Sequence, residues 1–538
     1  MRKRTLVAFL VISLVAVSGC SSGGNEKTEG STGAASKKEV SEAEGQWRPG
    51  EFHTHSIQSN DTDYPNDSVE KLILTGIDNG FDWLVIADHL RMSGRDINGK
   101  ELEGDGIPAY KAIEEQQKLI KSMEAAGELK DTKIFSGFEW DVLGLDHASV
   151  GIIDEKGKES LAGIKDFEYL YGKETEADQF SKEDIERLGK RENDDTKANT
   201  FKAVAWLKEN YPDSYLILNH PSRKNGEDNQ IEIEDIRKMN DIAPEIAFGF
   251  EGMLGNQMAS GGNRGELVDS YGGTDVLVAK VGGVWDALLG EGRRFWNYAN
   301  SDYHFKVSKN RLYSSGYWPG EYSKNYTFIK GDSFNDIGEG LRSGKSFSTF
   351  GDLINELDFT AADSGAKAEM GETLAVSEDE YEITIRFKSP KTNNFEVITE
   401  HETEVTNEVK LDHVDLISGE VTDKIPESSP DYKKTTNEST KVLASFTESD
   451  WKVDEEGFNV ITYKVKNDGK NHYYRLRGTN LGHNVDKKTK DGEPLQDRTF
   501  DTIEEPTAED NEERFNNQND RNYSEMWFYS NPIFVEND

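Results

Sequence analysis

The chain has 538 residues, of which 34% are hydrophobic and 31% charged, and its formal net charge is −39. This length exceeds that of one ordinary hydrophobic core, so we expect two large domains. The strong negative charge repels nucleic acid backbones and disfavours a nucleic-acid-binding role. The 25 Phe, 20 Tyr and 9 Trp residues argue against extensive disorder.

The first 19 residues have the pattern of a bacterial signal peptide. A basic start at residues 2–4 precedes an apolar run at residues 5–17, which is short for a transmembrane helix. The sequence Val-Ser-Gly-Cys at 17–20 then resembles a lipobox, in which Cys20 accepts the lipid. Cys20 is the only cysteine, so no disulfide can form within the chain. We therefore expect an extracytoplasmic lipoprotein that is anchored to a bacterial membrane through Cys20.

The rest of the chain divides into three predicted regions. Residues 20–46 are mostly Ser, Gly, Glu, Lys and Ala without an apolar period, which predicts a flexible tether. Residues 47–352 alternate between strand and helix signals. Residues 353–538 show strand signals with no competing helical period.

Within residues 47–352, each predicted helix leads into an apolar strand-like run. The predicted pairs are a helix from Val69 followed by Trp83–Ala87, Tyr110–Ala126 followed by Lys133–Phe135, Lys197–Asn210 followed by Tyr215–Leu218, and a helix around Trp285 followed by Arg294–Tyr298. This alternation implies a parallel sheet. In a parallel barrel the C-terminal ends of the strands meet at one rim, where active sites lie.

All six histidines of the first 304 residues lie in short polar clusters, most of them with a carboxylate close by. These clusters are His53-Thr54-His55, Asp88-His89, Glu139 followed by His147, Asn219-His220-Pro221 and Ser301-Asp302-Tyr303-His304. Imidazole and carboxylate form a ligand mixture that Zn, Mn and Fe accept. Because most of these motifs lie at or just after a predicted strand, we expect them to meet in one metal-binding pocket.

These motifs, in this order, resemble those of the polymerase and histidinol phosphatase (PHP) superfamily over residues 47–350. The resemblance implies an α/β fold that forms a distorted (β/α)7 barrel. It also implies two or three bound divalent metal ions, which would be Zn, Mn or Fe. The ligands that it implies are His53, His55, Asp61, Asp88, His89, Glu139, His147, His220, Asp302 and His304. Asp88 is either a ligand or a residue that orients its neighbour. The expected catalytic residues are Glu139, Asp302 and His220. Of these, Glu139 would bridge two metals.

The resemblance also implies a metal-dependent phosphoesterase. Closely spaced divalent cations lower the pKa of a bound water, so that hydroxide can attack phosphorus near neutral pH. The expected partner is a small phosphorylated substrate. Arg91, Arg223 and Arg293 are the candidates for binding its phosphate, because arginine suits bidentate contacts with phosphate oxygens.

Two other functions remain open at this point. An amidohydrolase-type metal hydrolase also begins with His-x-His and ends with an Asp at a strand end, but it usually relies on a carboxylated lysine as the bridge. The pairing of Asp302 with His304, and Glu139 as the bridge, favour the PHP interpretation. The third reading is a non-catalytic surface protein that binds a metal or a glycan.

The region 353–538 predicts a mostly-β, sandwich-like domain. Apolar and polar residues alternate around Tyr381–Phe387 and Val460–Val465, and further strand-like runs lie at Tyr473–Arg477 and Trp527–Val535. No motif in this region names a ligand, and its four histidines lack the polar clustering seen earlier. We expect it to have a structural role.

Overall fold

The computed structural model describes residues 45–62, 68–255, 269–304, 317–392, 409–497, 507 and 520–537. The expected signal peptide, Cys20 and nearly all of the expected tether lie outside these ranges. Within them, no helix combines the length and the apolar character that crossing a membrane requires.

The α-helices lie mainly in the first half of the chain and have local start and stop signals. They are α1 (Val69–Asp78), α2 (Ala109–Ala126), α3 (Leu161–Tyr171), α4 (Lys182–Leu188), α5 (Lys197–Asn210), α6 (Ile233–Ile242), α7 (Val276–Ala279), α8 (Val284–Leu289) and α9 (Phe334–Ser343). Residues 520–524 are also helical. The hydroxyl of Ser68 caps α1 by accepting a hydrogen bond from the Lys71 amide. Helix α2 ends at Gly127, whose φ of 75° is in the left-handed region that favours glycine.

The strands run through the whole described chain. They are β1 (Gln46–Glu51), β2 (Trp83–Ile86), β3 (Lys133–Ser136), β4 (Phe138–Asp141), β5 (His147–Gly151), β6 (Tyr215–Leu218), β7 (Ala247–Leu254), β8 (Ser270–Tyr271), β9 (Thr274–Asp275), β10 (Trp296–Asn300), β11 (Ser323–Ile329), β12 (Ser346–Phe350), β13 (Glu356–Ala362), β14 (Lys367–Glu369), β15 (Thr373–Val376), β16 (Glu380–Lys388), β17 (His413–Glu420), β18 (Lys441–Thr447), β19 (Lys452–Val453), β20 (Asn459–Lys466), β21 (His472–Thr479), β22 (Thr489–Lys490), β23 (Glu493–Pro494), β24 (Trp527–Ser530) and β25 (Ile533–Asn537).

Three larger sheets organise these strands. The first has the order β15-β25-β21-β24-β12-β11-β1-β2-β3, with β17 paired to β21 and β18 paired to β17. The second has the order β10-β7-β6-β5-β4, and the third has the order β14-β13-β16-β20-β19. The strands β8–β9 and β22–β23 form two small hairpins.

The described strands do not close into a barrel, so the predicted (β/α)7 barrel is wrong. Strands β1, β2 and β3 are parallel neighbours, and so are β6, β7 and β10. Strand β5, however, is antiparallel to both β4 and β6. The reversal begins at the short loop between β4 and β5, which contains no helix. The first sheet ends at β3 and the second begins at β4, with only Gly137 between them. A Cβ at Gly137 would lie 2.8 Å from the Val150 carbonyl oxygen, so this close approach requires glycine.

The region 353–538 is mostly β in the part that the structure describes, as predicted, but its strands belong to two different sheets. The third sheet is antiparallel and consists only of C-terminal strands. The other main C-terminal strands extend the first sheet through the antiparallel pair β12–β24, in which Phe347 lies opposite Ser530. The predicted boundary between residues 352 and 353 therefore falls just after a strand that pairs with the far end of the chain.

One large hydrophobic core contains residues from both halves of the chain. Its largest side chains are the buried tryptophans Trp83, Trp140, Trp285, Trp296 and Trp527. A smaller core lies where α1 and α2 pack on β2 and β3. Together these cores hold fixed the strand ends that carry the polar motifs.

Candidate metal site

The polar motifs converge because the strands that carry them end at a common place. The segment after β1 carries His53 and His55, and the segments after β2, β6 and β10 carry His89, His220, and Asp302 with His304, while Glu139 lies on β4. His147 opens β5, and since β5 is antiparallel to β6, the start of β5 lies beside the end of β6. The backbone N–H of Asn219 donates to the backbone carbonyl oxygen of His147 at 3.0 Å, and this hydrogen bond joins the two strand ends.

Nine of the ten predicted ligands meet in one group, which we call the histidine–carboxylate cluster. Its members are His53, His55, Asp61, His89, Glu139, His147, His220, Asp302 and His304. All are buried or partly buried except Asp61, whose side chain is 43% exposed. The cluster therefore has one edge that is open to solvent, at Asp61.

Glu139 lies at the centre of the cluster. Its Oε1 lies 3.0 Å from His147 Nδ1 and 3.2 Å from both His53 Nε2 and His220 Nε2. Its Oε2 lies 2.9 Å from His89 Nδ1 and 3.3 Å from His55 Nε2. The two oxygens of one buried carboxylate thus face two different sets of imidazoles.

Asp302 lies between the two histidines of the first motif. Its Oδ1 is 3.2 Å from the Nε2 atoms of both His53 and His55. Neither of its carboxylate oxygens has a hydrogen bond of good geometry, although both are buried. A buried carboxylate without such a partner is costly unless a cation compensates it. Asp302 therefore has the environment of a metal ligand.

Two residues of the cluster have strained backbones. The φ angles of His220 and Asp302 are 29° and 45°, in the left-handed region that residues other than glycine rarely adopt. Such strain persists only where the surrounding structure enforces it, and it is frequent at functional sites.

The groups of the cluster shift one another's pKa values strongly. Burial by itself would lower the pKa of His89, but the carboxylates of Glu139 and Asp61 raise it to about 9. Burial by itself would raise the pKa of Glu139, yet His147 and His53 hold it well below its usual range. The cluster thus stabilises positive charge, which either protonated imidazoles or divalent cations can supply.

Several subsets of the cluster have donor atoms close enough to share one ion. These are His55, Asp61, His89 and His304; His53, Glu139 and His220; and His53, His55 and Asp302, with the donor atoms of each subset within 4.8 Å of one another. Histidine nitrogens and carboxylate oxygens are suitable donors for a transition metal. The cluster can hold a metal ion.

Asp88, the tenth predicted ligand, is placed as a supporting residue and not as a ligand. Its Oδ1 accepts hydrogen bonds from the Ser56 amide at 2.6 Å and from the Ser59 hydroxyl at 2.9 Å. Its Oδ2 accepts from the Ser56 hydroxyl and from Gln116 Nε2, both at 2.6 Å. With four protein donors on its carboxylate, Asp88 fixes the turn that carries His55.

Two of the three predicted substrate arginines lie beside the cluster. Arg91 donates from Nε to Asp141 Oδ2 at 2.7 Å, and Arg223 donates from Nε to Asp146 Oδ2 at 3.0 Å. Their side chains are 27% and 21% exposed. Both aspartates also approach His147, and Arg223 Nη2 lies 3.0 Å from His147 Nδ1.

Arg293 does not belong to the site. Its buried guanidinium donates to Glu291, Asn240 and Asp241. Its prediction as a substrate residue is therefore corrected. It precedes β10, and its contacts hold α6 against the segment before that strand, because a buried guanidinium needs several acceptors.

Sequence reasoning missed the acidic residues that support the cluster. These are Glu51, Asp141, Asp146 and Glu251, all of which contact a cluster residue or its neighbour. Asn219, which precedes His220 in its motif, also donates to Glu139 Oε1 at 2.8 Å. Glu51, for example, accepts from the amide and hydroxyl of Ser301, at 2.8 and 2.6 Å. Only the position of each residue on or just after a strand of the site could have marked it in the sequence.

Comparison of the sequence with protein-family models and with curated proteins finds no match. The geometry of the histidine–carboxylate cluster therefore carries the functional argument.

Proposed function

We propose that this protein is a metal-dependent hydrolase that cleaves a phosphate ester, using two or three divalent ions such as Zn, Mn or Fe held by the histidine–carboxylate cluster. The observation that carries the proposal is the position of Glu139. Its two oxygens face separate sets of imidazoles, which is the arrangement expected of a carboxylate that bridges two cations. The motif order, which resembles that of the PHP superfamily, adds support.

The cluster residues have distinct roles in this proposal. Bound divalent ions would lower the pKa of a water molecule and neutralise charge on the phosphate oxygens. Glu139 would hold two of these ions at a fixed separation. His53, His55 and Asp302 would hold an ion at the buried end of the cluster, and Asp61 would hold one at its exposed edge.

The surroundings favour a phosphate ester over an amide as the substrate. Arg91 and Arg223 would place positive charge near the cluster, where phosphate oxygens could meet partly exposed guanidinium groups. The bridging position is occupied by a glutamate. The amidohydrolase type usually uses a carboxylated lysine there, so this position favours the phosphoesterase.

The test is hydrolysis by protein loaded with zinc or manganese. We expect turnover of p-nitrophenyl phosphate or bis(p-nitrophenyl) phosphate, and none of a p-nitroanilide amide. His55→Ala should abolish that turnover, because it removes a donor of the buried subset. His472→Ala is the matched control, since His472 opens β21 and its imidazole contacts Asp468 outside the cluster.

Full turnover by a folded His55→Ala protein would contradict the mechanism. Cleavage of the amide with no cleavage of either phosphate ester would assign the site to an amidohydrolase-type reaction instead.

We also propose that the protein acts outside the cytoplasm, held at a bacterial membrane by lipid on Cys20. The lipobox-like sequence at 17–20 supports this. Cys20→Ser removes the only thiol, so the protein should move from the membrane fraction to the soluble fraction and lose incorporation of labelled palmitate. An unchanged membrane fraction would contradict the anchor.

A further inference from the structure

A buried glutamate outside the cluster links two of its histidines from different parts of the chain. Glu251 lies on β7 and is fully buried. Its Oε1 lies 3.0 Å from His53 Nδ1, and its Oε2 accepts a hydrogen bond from the His220 backbone amide at 3.1 Å. One carboxylate therefore reaches the segment after β1 and the segment after β6.

The contact with His53 fixes the state of that imidazole. A carboxylate oxygen can only accept, so Nδ1 carries the proton and donates to Glu251. In the neutral imidazole, Nε2 would then present its lone pair to an ion bound inside the cluster, and this atom lies 3.2 Å from both Glu139 Oε1 and Asp302 Oδ1. This is the orientation that a metal-ligating histidine requires.

The contact with His220 holds a strained backbone. The φ of 29° at His220 turns its side chain towards Glu139, with Nε2 at 3.2 Å from Oε1. A hydrogen bond from the His220 amide to a fixed carboxylate helps to offset the cost of this conformation. Glu251 thereby sets the positions of His53 and His220, which are far apart in the sequence but belong to one subset of the cluster.

We infer that Glu251 is the positioning residue of the subset His53, Glu139 and His220, and that its two acceptor oxygens preorganise His53 and His220 to bind a divalent cation. The inference rests on the proposed metal-dependent function. Glu251 would not contact the ion itself. It would raise the affinity by fixing the tautomer of one ligand and the backbone of the other.

The substitution Glu251→Gln separates this role from simple burial. Glutamine has nearly the same shape but offers one acceptor oxygen, so its amide NH2 must face either the His53 Nδ1–H or the His220 N–H. We expect the affinity for zinc, measured by competition with a chelator, to fall about 10- to 100-fold, as is typical when such an outer partner is lost. Glu251→Asp keeps two acceptors on a shorter side chain, so its affinity should lie between those of wild type and Glu251→Gln.

The matched control is Glu168→Gln. Glu168 is also fully buried, and its carboxylate accepts from the amides of Ala109 and Tyr110 and from the Thr175 hydroxyl, away from the cluster. This variant should lose thermal stability but keep the zinc affinity of the wild type.

Zinc affinity in folded Glu251→Gln equal to that of wild type would overturn the inference while leaving the proposed function intact. Equal losses of zinc affinity in Glu251→Asp and Glu251→Gln would also overturn the inference, because keeping two acceptor oxygens would then not help zinc binding. A wild-type protein that binds no zinc at all would overturn the proposed function together with the inference.

Discussion

Glu139 and Glu168 are both buried glutamates, but their neighbours move their pKa values in opposite directions. Burial raises the pKa of Glu168 to about 7, and its hydrogen bonds from Thr175 and the Tyr110 amide only partly oppose this. Burial acts on Glu139 in the same sense, yet the surrounding imidazoles outweigh it and hold the pKa low. A carboxylate kept ionised in the interior is one that is surrounded by cationic groups.

The raised pKa of Glu168 predicts a loss of stability as the pH rises. The folded protein holds this proton more tightly than the unfolded chain does, so the contribution is present below the ordinary pKa of 4.5 and is lost as the pH rises to about 7. The loss amounts to about 3 kcal/mol. Urea unfolding at several pH values should show the stability difference between wild type and Glu168→Gln narrowing over this interval. A difference independent of pH would contradict the assignment.

The members of the histidine–carboxylate cluster were predictable from the sequence, whereas the residues that support them were not. His53, His55 and the pair Asp302 and His304 stand out because histidine and carboxylate recur near strand ends. Glu251 is one acidic residue among 102 Asp and Glu in the chain, and no local spacing distinguishes it. Its role comes from contacts with residues that are 198 and 31 positions away along the chain.

Elements with strong local signals were predicted closely. The amphipathic pattern before Gly127 corresponds to α2, and the apolar run Tyr215–Leu218 is β6. The reversal of β5 was not predicted. The pattern of apolar residues does not specify whether a buried strand is parallel or antiparallel, and the loop between β4 and β5 contains no helix that would indicate a crossover.

The contact between α8 and β21 shows how elements from the two halves are joined. Asp286 on α8 accepts from Arg475 on β21 through two hydrogen bonds of 2.8 Å, and from the Tyr473 hydroxyl at 2.9 Å. Both charged side chains are fully buried. The ion pair therefore lies in the core that the two halves share.

Asp286→Ala should destabilise the protein by about 3–5 kcal/mol, because it leaves the Arg475 guanidinium buried without its partner. Chemical denaturation would measure the change. Asp358→Ala is the control, since Asp358 pairs with Arg386 where its own side chain is 42% exposed, and the expected cost is about 0–1 kcal/mol. Equal effects of the two substitutions would contradict this assignment of the buried pair.

At the scale of the whole molecule, strand pairing runs across the change in sequence pattern near residue 352. Strand β12 pairs with β24, which lies about 180 residues further along the chain. Pairing over such a separation has no local signature, so the sequence pattern did not indicate that one sheet continues past residue 352. The site does not lie on the rim of a closed barrel, as predicted, but where strands of two open sheets come together. Nine of the ten predicted ligands still lie close to one another there.

The proposed function requires that these strand ends form one site for more than one divalent ion, organised by Glu139. The most direct measurement is the metal content of purified protein after dialysis against zinc or manganese, for wild type and Glu139→Gln. We expect at least two bound ions per wild-type chain and fewer in the variant, because glutamine cannot bridge two cations as a carboxylate does. Less than one ion per wild-type chain, or equal metal content in the two proteins, would contradict the account.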